Sequence, residues 1–144
     1  MDVDDGERRL AFRATPNLPA PAMILLDTNA LIWLARGHRR SAPLVRARQR
    51  LYVSPASLLE LQMLVEAGRV RLMAGGLEAI AGDPRWAIDT PDSGAWFQEA
   101  WPHTWTRDPF DRLIVAHAHL RGWKLATGDL RLLERLGAAH AIEL

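Results

Sequence analysis

The sequence contains no cysteine, and among its 18 lysine and arginine residues only Lys124 is lysine. The absence of cysteine excludes disulfides and thiolate metal centres, and it fits a reducing cytosol. The chain must therefore fold on its apolar residues, which make up 49% of its 144 positions, enough for one domain with one core. It also lacks any apolar run near the roughly 18 residues that a membrane span requires. No signal peptide is readable: Asp2, Asp4, Asp5 and Glu7 precede Arg8 and Arg9, with no long apolar stretch behind them. A cytoplasmic protein with no membrane association is expected. Net charge is nearly absent too, at +1, so bulk electrostatics do not announce a nucleic-acid partner. The arginine bias suits phosphate recognition and protein interfaces, and a GC-rich genome would produce it equally well. There is no glycine-rich phosphate loop, no internal repeat and no low-complexity tract.

What is present falls into two parts. Residues 1–22 are acidic, then basic, then proline-rich (Pro16, Pro19, Pro21), with Leu10 and Phe12 as isolated apolar anchors. This composition predicts a disordered N-terminal extension, with Met23 as an alternative start. From residue 23 to 144, short apolar runs alternate with helical patterns. Met23–Leu26 reads as a strand buried on both faces, followed by a helix from Asn29 to Arg36. Ser41 is expected to cap a helix reaching about Arg50, and Leu51–Ser54 to form a strand. Ser57 is expected to cap a helix ending near Ala67, with Ser57-x-x-Glu60 as a capping box. Further elements are expected at 76–81 (helix), 86–89 (strand) and 92–101 (helix). Asp108-Pro109 opens a helix to Arg121, with Asp as N-cap and Pro at the first helical position. A strand at 123–127, a helix at 129–136 and a weak strand at 138–143 complete a three-layer α/β domain with a mostly parallel sheet of four or five strands.

Four carboxylates stand out against this frame. Asp27 ends the first strand, Glu60 lies near the start of the helix after the second, Asp111 lies in the first turn of the 109–121 helix, and Asp129 follows the 123–127 strand. In open parallel sheets, sites gather beyond the carboxyl ends of the strands, so four separate segments deliver acid to one edge. Each residue has an ordinary alternative. Asp27, Asp108 and Asp129 are good helix caps, Glu60 completes the capping-box pattern, and Asp111 balances a helix dipole. Gathered together, with no obvious cation partner, they suggest a hard divalent ion, Mg²⁺ or Mn²⁺, and metal-assisted phosphodiester hydrolysis.

The blocks Leu26-Asp27-Thr28-Asn29-Ala30-Leu31-Ile32-Trp33, Val53-Ser54-Pro55-Ala56-Ser57-Leu58-Leu59-Glu60-Leu61, Arg107-Asp108-Pro109-Phe110-Asp111-Arg112-Leu113-Ile114-Val115-Ala116 and Leu125-Ala126-Thr127-Gly128-Asp129 resemble the PIN-domain family, specifically its VapC-type toxin branch, over residues 23–144. The resemblance implies a PIN-like three-layer α/β/α sandwich. It also implies a metal-dependent endoribonuclease, the toxin of a VapBC-type toxin–antitoxin module, with RNA as substrate, a VapB-like antitoxin as partner and a homodimeric assembly. By the same resemblance, Asp27, Glu60, Asp111 and Asp129 form the catalytic and Mg²⁺ (or Mn²⁺) site. Asp108 is a cap or outer residue, and Thr28, Asn29, Ser54 and Thr127 are nearby polar positions. Many relatives carry a basic or polar residue about four positions after the glutamate, where this chain has Leu64. The alternative function is a catalytically silent PIN-like module that binds RNA or protein.

Other features are weaker. His117 and His119 lie two apart on a helix, on diverging faces, and do not make a paired zinc site. Arg39, Arg40, Arg46, Arg48 and Arg50 form a basic stretch, read either as a solvated face or as a phosphate- or antitoxin-contacting surface. Trp33, Trp96, Trp101 and Trp105 suit a core or a dimer face, and Trp105 could instead stack on an unpaired base.

Overall fold

A computed structural model describes residues 23–144; the expected extension at 1–22 lies outside the described residues. Five strands, β1 (Met23–Leu26), β2 (Arg50–Val53), β3 (Ala87–Ile88), β4 (Lys124–Thr127) and β5 (Ala141–Glu143), form one sheet in the order β3-β2-β1-β4-β5. Every pairing is parallel, with Leu25 opposite both Tyr52 and Leu125, and Leu125 opposite Ala141. Seven α-helices surround the sheet: α1 (Thr28–Arg36), α2 (Ala42–Val45), α3 (Pro55–Glu66), α4 (Gly76–Ala81), α5 (Ser93–Ala100), α6 (Pro109–Arg121) and α7 (Leu130–Leu136).

The apolar run of β1 explains the layering. Successive side chains of a strand point to opposite faces, so Leu25 packs with Trp96 of α5, Ile114 and Val115 of α6, and Leu132 of α7. Its neighbours Ile24 and Leu26 pack on the other face with Leu31 and Leu34 of α1, Leu44 of α2 and Trp86. Helix α3 serves both layers, giving Ala56 to the first and Leu61 to the second. The chain progresses outward from β1 in one direction through β2 and β3, then jumps to β4 and progresses the other way. Crossovers between parallel strands are right-handed, so reversing the direction reverses the covered face. The reversal falls between β1 and β4, which is where an open α/β sheet leaves a crevice beyond its strand ends.

Three local expectations are corrected. The helix predicted from Ser41 to Arg50 is only Ala42–Val45, preceded by a 3₁₀ turn at Arg39–Ser41. Arg50 is instead claimed by β2, opposite Met23. Ser41 does not cap it; its hydroxyl donates to the His38 carbonyl at 2.7 Å. At α3 the cap is Ser54, whose Oγ accepts from Ala56 N at 3.2 Å, with Pro55 in the first helical position. Ser57 is therefore inside the first turn, fully buried, and Glu60 is one turn further on, too far along to close a capping box. The helix ends at 66 and 121 and the short elements in the middle lie within a residue or two of expectation. Gly122 ends α6 at φ +70°, a left-handed conformation that glycine takes without a Cβ penalty.

Candidate active site

Asp27 is the first residue beyond β1 and the N-cap of α1. Its backbone N–H continues the sheet ladder to the Ala126 carbonyl at 3.1 Å, and its Oδ1 accepts from Ala30 N at 2.7 Å. The side chain is 6% exposed. Burial pushes its pKa up to about 6; the Thr127 hydroxyl and the Ala30 amide oppose that shift, while the charges of Glu60 and Asp129 add to it. Glu60 projects from α3 and accepts a hydrogen bond from the Thr28 hydroxyl, 32 residues away. Its pKa is raised, first by burial and then by the charge of Asp108.

The third segment is the start of α6. Asp108 caps it, its Oδ1 accepting from Phe110 N at 2.8 Å, and its own N–H donates to Thr106 Oγ1 at 3.2 Å. Arg112 Nε holds the Thr106 carbonyl at 2.8 Å, so both ends of the Asp-Pro-Phe-Asp-Arg block pin the preceding loop. Asp111 is thereby set in the first turn, aimed at the others. Burial, followed by the charges of Asp108, Asp129 and Glu60, raises its pKa to about 6, and Arg131 opposes the shift. The fourth segment follows β4. Asp129 caps α7 through Arg131 N at 2.8 Å, and its own N–H donates to Thr127 Oγ1 at 3.0 Å. Thr127 is fully buried and serves both Asp27 and Asp129.

The structure thus brings Asp27, Glu60, Asp111 and Asp129 together at one edge: Asp27 feels the charges of Glu60 and Asp129, Asp111 those of Asp108, Asp129 and Glu60, and Glu60 that of Asp108. The capping roles and the clustering coexist: Asp27, Asp108 and Asp129 all cap helices. One expectation fails. A cation partner exists, Arg131, whose Nη2 lies 3.3 Å from Asp111 Oδ2 and 3.4 Å from Asp129 Oδ2. Sequence reasoning missed it; its place two residues after Asp129, in the first turn of the capped helix, was the available signal. Among the described residues, no three acidic or histidine groups converge tightly enough to hold one ion as they stand. The donor set is nevertheless all oxygen and mutually repelling, which is the chemistry that a hard divalent cation satisfies.

The approach of Gly128 closes the edge beside Asp129. A Cβ there would sit 2.6 Å from Arg40 Nη2 and 2.6 Å from the Trp33 ring, so only glycine fits. Arg40 stacks over Trp33 at 4.1 Å and donates to the Leu144 carbonyl at 2.9 Å; of the basic stretch, Arg39, Arg46, Arg48 and Arg50 are simply exposed. Ser54 is buried as the α3 cap, Asn29 is exposed, and Leu64 packs against the second core layer. His117 and His119 diverge as expected, His117 to Asp89 and His119 to His103.

Residues 24–138 match the PIN domain profile. The chain belongs to the PIN-domain family. Ribonuclease VapC22 of Mycobacterium tuberculosis is 32% identical over 116 residues, which is 76% of this chain and 88% of that protein, and places it in the VapC-type branch. The same PIN fold is seen in a toxin–antitoxin complex from Klebsiella pneumoniae (TM-score 0.61, 17% identity, 84% of this chain and 99% of that one). It is seen again in VapBC2 from Rickettsia felis bound to a DNA fragment from their promoter (TM-score 0.59, 17% identity, 85% and 98%). The four sequence blocks that carried the resemblance are the four segments that supply the carboxylates described above.

Proposed function

We propose that this PIN domain is a metal-dependent endoribonuclease, the toxin of a VapBC-type pair, inactivated by a cognate VapB-like antitoxin. One observation carries the reading: Asp27, Glu60, Asp111 and Asp129, from four separate segments, meet at one sheet edge, and burial and neighbouring carboxylates raise the pKa of Asp27 and Asp111 there. A purely structural cluster would be paired; among the described residues this one has a single exposed arginine, on Asp111 and Asp129. Asp27, Glu60, Asp111 and Asp129 would hold Mg²⁺ or Mn²⁺, with Asp108 outside them. Such an ion, when bound, activates water and neutralises phosphoryl oxygens. The chain's own part is positional. Thr28 orients Glu60, Thr127 orients Asp27 and Asp129, and the helix caps lock three of the carboxylates at one sheet edge. The exposed apolar side chains Leu59 and Met63 of α3, and Phe97 and Trp101 of α5, supply surface for a homodimer.

Attack by water on phosphorus does not use the ribose 2′-hydroxyl, so cleaved RNA should carry 5′-phosphate and 3′-hydroxyl ends. Chelation should stop cleavage, and added Mg²⁺ or Mn²⁺ should restore it. Asp111→Asn should lower the rate by on the order of a thousandfold or more while the fold persists, as loss of a charge-stabilising group at a reacting centre does. A silent binding module would show no cleavage under any of these conditions. Cutting in excess chelator, or 2′,3′-cyclic phosphate products, would overturn the mechanism. Growth arrest on induction, relieved by coexpressing a neighbouring antitoxin frame, tests the toxin assignment.

A further inference from the structure

We propose that a surface cleft beside the carboxylates, lined by Trp105, Arg131, Glu134 and Arg135, is a subsite for one unpaired nucleobase and its adjoining phosphate. The assignment rests on the nuclease reading above and adds where the RNA strand is gripped. The cleft has a volume of about 470 Å³. Trp105 is half-buried: one side packs on the core layer that contains Ile114 and Val115, and its indole N–H donates to His103 Nδ1 at 3.2 Å. The ring is therefore held in place before anything binds. Arg135 lies 5.4 Å from its centroid; on a flexible side chain it can move outward to stack on the far side of a base seated on the indole.

Position and charge give the rest. Arg131 and Arg135 are one helical turn apart on α7 and share a face. The Arg131 guanidinium that forms one wall of the cleft also reaches Asp111 and Asp129. Cleft and carboxylates are thus separated by a single side chain, so a nucleotide seated on Trp105 lies next to the phosphate that would be cut. Three of the four lining side chains are charged, which argues against a small apolar ligand. The two arginines outweigh Glu134 by one positive charge, enough for one phosphodiester. Among the described residues Glu134 is the one carboxylate lining the cleft, an acceptor for an exocyclic amino group, which favours adenine, cytosine or guanine over uracil.

The test uses the full chain with Asp111→Asn as a non-cleaving background, and fluorescence anisotropy with labelled single-stranded oligoadenylate and oligouridylate. Adding Trp105→Ala should weaken binding by on the order of tenfold, the loss typical of removing one base-stacking aromatic, while Trp105→Phe keeps most of it. Arg135→Ala should weaken binding and lower the salt slope by about one unit, and Glu134→Gln should reduce the preference for oligoadenylate. Mn²⁺ titration and circular dichroism of each variant should match the background, separating a lost contact from a lost fold. If Trp105→Ala does not fold, Trp105→Phe and Arg135→Ala carry the test. Unchanged affinity and salt slope in these variants, with wild type cleaving RNA, would overturn the subsite and leave the nuclease reading standing. A background protein that binds no RNA, together with a wild type that cleaves none, would overturn both.

Discussion

Two buried polar clusters of this PIN domain are built from the same residue types and behave in opposite ways. On the α5–α6 side, Asp89 accepts from Arg121 Nε at 2.8 Å and Nη2 at 3.1 Å, and bonds His117 Nε2 at 2.7 Å. His117 is fully buried between Trp96 and Trp123, and burial lowers its pKa, so it is neutral at pH 7 and Asp89 has one full cation for its one charge. At the sheet edge, among the described residues, Arg131 pairs with two of the carboxylates, Asp111 and Asp129; its side chain is 65% exposed and its contacts are longer, at 3.3 and 3.4 Å. The first cluster is balanced and holds α6 to the end of β3. The second is unbalanced, and that imbalance is what the proposed divalent ion would offset. Counting charges within each cluster separates a structural network from a chemical one, where burial alone would not.

The largest effect that tests this contrast is on pH-dependent stability. Asp27 titrates near 3.8 when unfolded and near 6 when folded. A raised carboxylate contributes stability that is fully present below the unfolded value and is lost as pH rises through the folded one. The metal-free protein should therefore lose stability between about pH 4 and pH 7, by up to about 3 kcal/mol from Asp27. Asp27→Asn keeps an oxygen to cap α1, so its advantage over wild type should grow across that window. Thermal melts in chelator at a series of pH values measure it; a variant less stable than wild type at pH 7 would break the comparison. The balanced cluster should respond with the opposite sign. Asp89→Ala leaves the buried His117 and the Arg121 guanidinium without their acceptor and should cost about 2 kcal/mol at neutral pH, read from denaturant unfolding. No loss of stability there would mean that the network is not what holds α6.

Much of this arrangement was legible because it is local. A four-residue apolar run specifies β1, and Asp108-Pro109 specifies the start of α6, since cap and first-turn proline act within three residues of each other. The carboxylates were readable because they end strands or open helices. What escaped was set by distance along the chain. From the sequence, Ser54 belongs to a strand and Ser57 caps the helix, on the glutamate three residues later; the structure puts the cap at Ser54, with Pro55 at the first helical position. Glu60 turned instead to Thr28, 32 positions away, and Asp89 to His117, 28 positions away. The helix expected up to Arg50 was cut short because β2 had to begin there to pair with β1. Tertiary pairing overrode local preference at Glu60 and at Arg50, whereas at Ser54 one local signal overrode another. The functional roles of the site residues rest on the family resemblance and on the proposal above.

The smallest predicted effect sharpens the contrast most. Arg131 and Arg121 are each the cation of their cluster, and both are replaced by glutamine in the same experiment. Arg131 is mostly exposed and its bonds are long, so screening leaves it worth about 0.5 kcal/mol to the metal-free protein. That small sum has a signature. Arg131 opposes the raised pKa of Asp111, so Arg131→Gln should push Asp111 higher still. Its destabilisation should be visible at pH 7 and vanish near pH 4, where Asp111 is protonated in the folded protein. It should shrink in the Asp111→Asn background, where only the Asp129 contact of Arg131 is left, which a double-mutant cycle would show. Arg121→Gln should behave differently, costing stability at both pH values, because it removes the guanidinium that bonds Asp89 directly at 2.8 and 3.1 Å. Equal pH dependence for the two substitutions would mean that Arg131 is an ordinary surface ion pair, and that the carboxylate cluster is less strained than its geometry indicates.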